Sequence, residues 1–176
     1  RGGGVYSLDA SPCIANNTIT DNSSGVGQGA GVYCGGGSPS IWTNRIWGNG
    51  EAMGAGFGGG IACSEGIPAI LFNQINVNWA QQRGGGIHCE GADAGIWGNL
   101  VSGNTCLSYG GGIVCAGGEP VIRQNTISGN VAGFEGGGIW CSNTTARIHG
   151  NTIVSNNGSE CGGGIGLNYD TIASIT

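Results

Sequence analysis

The chain has no lysine, five arginines and four prolines, and none of its apolar runs is long enough to cross a bilayer. Ten acidic residues give a net charge of −5 without any basic cluster, so we do not expect binding to nucleic acid or to anionic membrane surfaces. Insertion into a membrane is not expected either. Glycine does not recur at every third residue, which with so little proline excludes collagen. Hydrophobic residues make up 39% of the chain, which argues against disorder.

Glycine is in excess, with 41 residues in 176, and much of it lies in a repeated motif. Successive motifs are separated by 27, 29, 26, 26, 26 and 26 residues. A fixed period of this length is typical of solenoid proteins. The motif Gly-[Gly/Ala]-Gly-[Ile/Val] begins at Gly2, Gly29, Gly58, Gly84, Gly110, Gly136 and Gly162.

Each piece of the repeat is too short for a helix and alternates with the period of a strand. Three short strands and three bends fit into one unit, which predicts a three-sided coil. We therefore predict an all-β fold, a right-handed single-stranded parallel β-helix. It would form a single domain over residues 1–176, with about six 26-residue coils and a partial seventh.

Stacking the units places equivalent residues about 4.8 Å apart, the spacing of neighbouring strands, and so predicts columns of like residues. Three apolar columns would form the core. They are Ile14, Ile41, Ile70, Ile96, Ile122, Ile148; then Ile19, Ile46, Ile75, Val101, Ile127, Ile153; and Val5, Val32, Ile61, Ile87, Ile113, Ile139, Ile165.

Two asparagine columns are predicted to mark the bends, because asparagine tolerates left-handed backbone and stacked amides can bond from coil to coil. The glycine triplets are interpreted as corners with positive φ and close backbone approach. The two columns are Asn17, Asn44, Asn73, Asn99, Asn125, Asn151 and Asn22, Asn49, Asn78, Asn104, Asn130, Asn156.

These motifs carry a resemblance to known proteins. Gly-Gly-[Gly/Ala]-Ile paired with Ile-x-x-Asn resembles the repeats of bacterial surface and secreted right-handed parallel β-helix proteins. It is similar to the GGAI and FxxN motifs of the polymorphic outer-membrane protein family, with Ile or Val here in place of Phe. The resemblance implies the fold and a place outside the cell or on its surface, but that fold serves adhesins, pectin-degrading enzymes and fibres alike.

The eight cysteines fall into two groups. The first occupies one slot of successive coils and is interpreted as a buried thiol column: Cys34, Cys63, Cys89, Cys115 and Cys141. The others, Cys13, Cys106 and Cys161, are predicted to lie at outer strand positions or in bends. There they would either cross-link protomers or cap the solenoid in an oxidising compartment, or remain free.

No catalytic, metal or cofactor site is predicted. Asp93 and Glu119 share a register, but their neighbours in that column are not acidic, and His88 and His149 fall on outward positions of different strands. A pectin-degrading enzyme would need two or three close carboxylates, so an enzyme is not expected. The sequons at Asn16, Asn22, Asn143 and Asn157 allow attached glycans.

Outward positions on coils two to four collect apolar residues, an arrangement that marks a contact surface. This surface predicts either a lateral protein interface or a platform for stacking sugar rings. An ice-binding face is the weaker alternative, because Arg45 and Gln74 interrupt the threonine column that begins at Thr18. The predicted contact residues are Trp42, Trp47, Leu71, Trp97 and Leu100.

The ends of the chain give the other functional hypothesis. No capping helix is indicated at either end, which predicts either a fragment of a longer solenoid or a protomer that stacks head to tail. An extracellular structural filament is therefore the first functional expectation. A surface adhesin or carbohydrate-binding solenoid is the second.

Overall fold

A computed structural model describes residues 2–25, 27–50 and 56–176. In these residues the regular elements are all β-strands and every strand pairing is parallel. Strands one coil apart pair in register, for example Ile87 with Ile61 on one side and Ile113 on the other. The predicted parallel β-helix of coils of about 26 residues is confirmed.

The strands stack into four sheets. Sheet 1 contains β1 (Val5–Leu8), β4 (Val32–Gly35), β7 (Ile61–Ser64), β11 (Ile87–Glu90), β15 (Ile113–Ala116), β19 (Ile139–Ser142) and β23 (Ile165–Asn168). Sheet 2 contains β2 (Cys13–Ala15), β5 (Ser40–Trp42), β8 (Ala69–Leu71), β12 (Gly95–Trp97), β16 (Val121–Arg123), β20 (Thr145–His149) and β24 (Ile172–Ile175). Sheet 3 contains β3 (Thr18–Thr20), β6 (Arg45–Trp47), β9 (Gln74–Asn76), β13 (Leu100–Ser102), β17 (Thr126–Ser128) and β21 (Thr152–Val154). Sheet 4 contains β10 (Trp79–Ala80), β14 (Thr105–Cys106), β18 (Val131–Ala132) and β22 (Asn157–Gly158).

Sheet 4 departs from the predicted three-sided coil. The coils that begin at Gly58, Gly84, Gly110 and Gly136 each carry a fourth strand of two residues. The prediction of three strands per coil is wrong for these coils. A strand of two residues is too short to show an alternation of period two, which explains why the pattern did not reveal it.

The three apolar columns form the core. Their members in the middle coils are completely buried, as Ile41, Ile70 and Ile96 in sheet 2 illustrate. Their registers are those of the repeat. Burying each isoleucine contributes roughly 1.5–3 kcal/mol, so the columns are the main stabilising term of the fold.

The asparagine columns are hydrogen-bonded ladders on both flanks of sheet 3. Asn99 is buried, and its Oδ1 accepts hydrogen bonds from the backbone N–H and the Nδ2 of Asn73, at 2.9 and 3.0 Å. Its own Nδ2 donates to the carbonyls of Ile70 and Trp97 and to Oδ1 of Asn125. The predicted amide stacking is confirmed. The prediction that these asparagines adopt left-handed backbone is wrong, because the residue just before each one does so.

The glycine triplets form the predicted corners. The first glycine has positive φ, +65° at Gly84, and a Cβ on it would meet the Cβ of His88 at 2.9 Å. The third, Gly86, lies so near the next coil that a Cβ would be 2.7 Å from the carbonyl oxygen of Gly112. Both positions therefore require glycine.

Membrane-spanning helices were sought over the described ranges 2–25, 27–50 and 56–176. No helix long and apolar enough to cross a bilayer occurs there.

Candidate functional site

The five predicted contact residues divide between two sheets. Trp42, Leu71 and Trp97 are consecutive in register on the outer face of sheet 2. Trp47 and Leu100 lie on the outer face of sheet 3, in different columns and two coils apart. The structure therefore brings the first three together in one row and leaves the other two as separate points around the corner of the solenoid.

The tryptophans of sheet 2 are not free platforms. The Arg123 guanidinium carbon lies 3.6 Å from the ring centroid of Trp97, whose indole lies beside Gly95. Trp42 Nε1 contacts Cys13 Sγ at 3.3 Å. A sugar ring could stack on Trp97 from the side of Arg123 only by displacing the guanidinium, which costs a cation–π contact.

Two exposed apolar residues were missed in the sequence, and both lie at the corners of sheet 3. Phe72 and Val77 precede ladder asparagines and adopt left-handed backbone, with φ of +53° and +54°. Their side chains are 63% and 65% exposed. In other coils the two positions hold Gly, Asn, Asp, Thr, Gln or Ser. The sequence could have revealed these exposed residues, because Phe72 and Val77 are bulky residues in columns that otherwise hold turn-forming residues.

A shallow pocket opens on the outer face of sheet 3 between these features. It is lined by Arg45, Trp47, Gln74, Asn76 and Val77. Arg45 is in register with Gln74, and Trp47 with Asn76. Asn76 Oδ1 accepts a hydrogen bond from the Ser102 hydroxyl at 2.8 Å. The side chains of Arg45 and Gln74 make no hydrogen bond with any residue the structure describes, so their donors and acceptors face solvent.

Asp93 and Glu119, which share a register, are joined by one hydrogen bond. Asp93 Oδ1 accepts the backbone N–H of Glu119 at 2.9 Å, which gives this acid a structural role in the bend. No group of three or more His, Cys, Asp or Glu residues is placed to hold a metal ion within residues 2–25, 27–50 and 56–176.

The five-cysteine column is buried in the core, in register along sheet 1, and all eight thiols are free. Hydrogen bonds with neighbouring thiols and burial raise the pKa of Cys63 and Cys115 well above the ordinary value. Cys13 and Cys161 are exposed, as expected of cross-linking candidates.

The predicted outer position of Cys106 is wrong. It lies in β14 of sheet 4, buried between Ala80 and Ala132 of the neighbouring coils. Its thiol faces the interior, so it has no surface from which to cross-link a partner while the protein is folded.

The outer face of sheet 1 carries a second packed layer that the sequence analysis did not foresee. His88 points outward from the coil as predicted, but it is 0% exposed because the Phe57 ring covers it at 5.1 Å between centroids. Tyr109 covers Trp140 in the same way at 4.8 Å. Both covering residues immediately precede a glycine triplet, where each forms a bridge to Arg83.

Comparison of the chain with protein-family models, curated proteins and solved structures gives no match. The function is therefore argued from the chain's own residues.

Proposed function

We propose that this solenoid binds carbohydrate outside the cell, through the outer face of sheet 3 on coils two to four. The observation that carries the proposal is the pocket around Trp47, which combines an exposed indole with unpaired side-chain hydrogen-bonding groups. We call this surface, formed by Arg45, Trp47, Phe72, Gln74, Asn76, Val77 and Leu100, the sheet 3 face.

The two corner residues, Phe72 and Val77, indicate a role in contacting a ligand rather than in stabilising the fold. Left-handed backbone costs a residue with a Cβ roughly 1–2 kcal/mol, and a β-branched residue there is an outlier. Val77 is 65% exposed, so little burial offsets the cost. The equivalent position is glycine in the coils before and after it, Gly48 and Gly103. A ligand that covers the valine would supply the missing burial.

The pocket chemistry fits a sugar better than a protein partner. Sugars present an apolar ring face and a rim of hydroxyls. The Trp47 indole could stack on the ring face, and the side chains of Arg45, Gln74 and Asn76 could form hydrogen bonds with the hydroxyls. Protein interfaces usually need a larger continuous apolar core than one tryptophan and one valine with flanking polar groups. The columns repeat every ~4.8 Å along the solenoid, a step comparable with the length of one sugar unit, so a linear glycan could lie parallel to the axis.

A place outside the cell is supported by the chain's composition and by its resemblance to bacterial surface β-helix repeats. The surface is poor in charge and rich in Asn, Ser, Thr and Gly. Only Cys13 and Cys161 expose thiols to an oxidising environment. We also propose, as part of the same hypothesis, that the repeats of this chain are of the polymorphic outer-membrane protein type.

The test is a glycan array followed by calorimetric titration of the best ligand. Trp47→Ala should weaken binding at least tenfold, because it removes the stacking ring. Tyr6→Ala, another exposed aromatic but on sheet 1 of the first coil, is the matched control and should bind normally. Equal binding by wild type and Trp47→Ala, or no glycan bound at all, would reject the proposal.

Val77→Gly separates function from stability. Glycine tolerates the left-handed backbone, so we expect the free energy of unfolding to rise or hold within about 1 kcal/mol while glycan affinity falls. Urea denaturation and calorimetry measure the two quantities. A variant that loses stability and keeps its affinity would show that Val77 serves the fold.

End-to-end assembly into a filament stays a prediction. Negative-stain electron microscopy at low and high protein concentration tests it, with and without reductant. Fibres of constant diameter would support it, and their loss under reductant would assign Cys13 or Cys161 to the joint. Dispersed short rods would exclude it.

A further inference from the structure

A polar notch lies on the outer face of sheet 1, on a different side of the solenoid from the sheet 3 face. Its floor consists of small residues, Gly91, Ala116 and Gly117, at the ends of strands β11 and β15. Larger side chains stand around it on coils three to seven. They are Arg83, Glu90, Ser142, Asn143 and Tyr169. The notch exists because the small Ala116 separates Glu90 from Ser142 in their row.

Two opposite charges face the notch without pairing. Arg83 lies over the Trp140 ring, with its guanidinium carbon 5.4 Å from the ring centroid, and the guanidinium makes no hydrogen bond with a described residue. Glu90 instead shares a hydrogen bond with His88 Nε2 at 3.1 Å. That hydrogen bond lowers the pKa of Glu90, and the charge of Arg83 acts in the same direction against the effect of burial, so the carboxylate is ionised at neutral pH.

The far wall adds an uncommitted hydroxyl. Ser142 is only 3% exposed, and its hydroxyl has no hydrogen-bond partner among the described residues. Asn143 next to it is exposed and adopts left-handed backbone, with a free side-chain amide. Glu135 does not compete for Arg83 in hydrogen bonding, since its Oε2 accepts from Trp140 Nε1 and Asn168 Nδ2.

We propose that this notch binds a small zwitterion, with its carboxylate on Arg83 and Ser142 and its ammonium group on Glu90. A free α-amino acid is the simplest molecule of this class. The guanidinium offers a planar fork of donors that suits a carboxylate, and the Glu90 carboxylate accepts an ammonium donor with a charge-assisted bond. The Tyr169 ring and Ala116 give the ligand's side chain an apolar contact.

Charge balance favours a zwitterion over a simple anion or cation. An anion on Arg83 would be repelled by Glu90, and a cation on Glu90 would be repelled by Arg83. A zwitterion places an opposite charge against each group and adds no net charge. The absence of a direct Arg83–Glu90 pair leaves room between them for such a ligand.

Isothermal titration of the whole protein with alanine is the central experiment, with γ-aminobutyrate as a second arm of wider charge separation. N-acetylalanine lacks the ammonium group and alaninamide lacks the carboxylate. We expect saturable binding of alanine or γ-aminobutyrate and at least tenfold weaker binding of both blocked compounds. Equal binding of the blocked and zwitterionic compounds, or no saturable binding of either zwitterion, overturns the proposal.

Variants tie the binding to the notch. Arg83→Gln and Glu90→Gln should each lower zwitterion affinity at least tenfold, and Ser142→Ala severalfold. Arg147→Gln removes an exposed arginine from sheet 2, outside both proposed sites, and should leave zwitterion affinity unchanged. Because Arg83 packs on Trp140, the circular dichroism and melting curve of each variant are compared with wild type. If folded Arg83→Gln and Glu90→Gln proteins bind alanine and γ-aminobutyrate as wild type does, the proposal is wrong.

Discussion

At the scale of single residues, the bend beside each ladder asparagine divides two tasks between two positions. The residue before the asparagine takes the left-handed backbone, as Thr43 and Gln124 do. The asparagine then follows with its amide turned inward, where it bonds the coils on either side. The asparagine is therefore required for its hydrogen bonds, whereas the preceding position is free to vary and can carry a residue chosen for function, as Phe72 and Val77 illustrate.

Asn99→Ala tests this division of tasks. The substitution leaves the buried backbone N–H of Asn73 and the carbonyl of Ile70 without their side-chain partners. Unsatisfied buried groups cost roughly 1–3 kcal/mol each, so we expect the free energy of unfolding to fall by about 3 kcal/mol or more. Urea denaturation followed by circular dichroism measures it.

The matched control is Asn157→Ala. Asn157 lies in β22 with an exposed side chain that makes no hydrogen bond to the described residues, so its loss should change stability by less than about 0.5 kcal/mol. If the two alanine variants were equally stable, the ladder would have no special energetic role.

At the scale of strands and sheets, the predicted inward positions are correct wherever a strand is long enough to show its alternation. The three apolar columns and the thiol column follow from Ile and Cys two residues apart on a strand, as in Ile87 and Cys89. Their side chains are buried because they point into the interior of the coil. The sequence therefore contains all the information needed to place them.

The outer layer of sheet 1 could not be read from the same pattern. His88 occupies an outward position, and only the path of the chain just before Gly58 brings Phe57 over it. The notch depends likewise on which side chains are small on neighbouring coils, as at Ala116 and Gly117. Such contacts depend on side-chain directions between coils, which periodicity does not encode. Cys106 was misplaced for the related reason that its strand has two residues.

Sheet 4 gives a prediction for alkaline pH. Burial raises the pKa of Cys106 from 9.0 to about 11. Below pH 9 the thiol is protonated in both the folded and the unfolded chain. Between pH 9 and 11 it ionises only in the unfolded chain, so this residue makes stability fall by about 2 to 3 kcal/mol across that window.

Cys106→Ala should remove that part of the loss. Alanine already fills the same position in the adjacent coils, at Ala80 and Ala132, so the variant is expected to fold. Urea denaturation under reductant across the alkaline range gives the two stability curves, and the absence of lysine simplifies them. Cys161→Ala, at an exposed thiol, is the control and should follow wild type. Parallel curves for wild type and Cys106→Ala would contradict the prediction.

At the scale of the whole molecule, only one of the two proposed sites extends beyond the fourth coil of the repeated scaffold. The sheet 3 face belongs to coils two to four, whereas the notch runs from Arg83, the last residue of coil three, to coil seven. In a solenoid each coil contacts only its neighbours, so stability is close to a sum over coils and their interfaces. The two sites should therefore be separable by changing the number of coils.

Deletion of residues 110–135, one whole repeat of 26, tests this modularity. Tyr109 would then precede Gly136, another glycine triplet, and β11 would pair with β19 in the register that β15 now has with both. We expect a folded β-rich protein, shorter by ~4.8 Å and less stable than wild type. Circular dichroism, small-angle scattering and urea denaturation test these expectations.

The same deletion separates the two binding activities. It removes Ala116 and Gly117 and brings Ser142 directly beside Glu90, which closes the notch, so zwitterion binding should disappear. The sheet 3 face lies outside the deleted coil, so glycan affinity should stay within about twofold of wild type, or within about 0.4 kcal/mol. A folded deletion protein that lost both activities, or kept both, would show that the sites are not built from separate coils, and an unfolded one would show that the coils are not independent units.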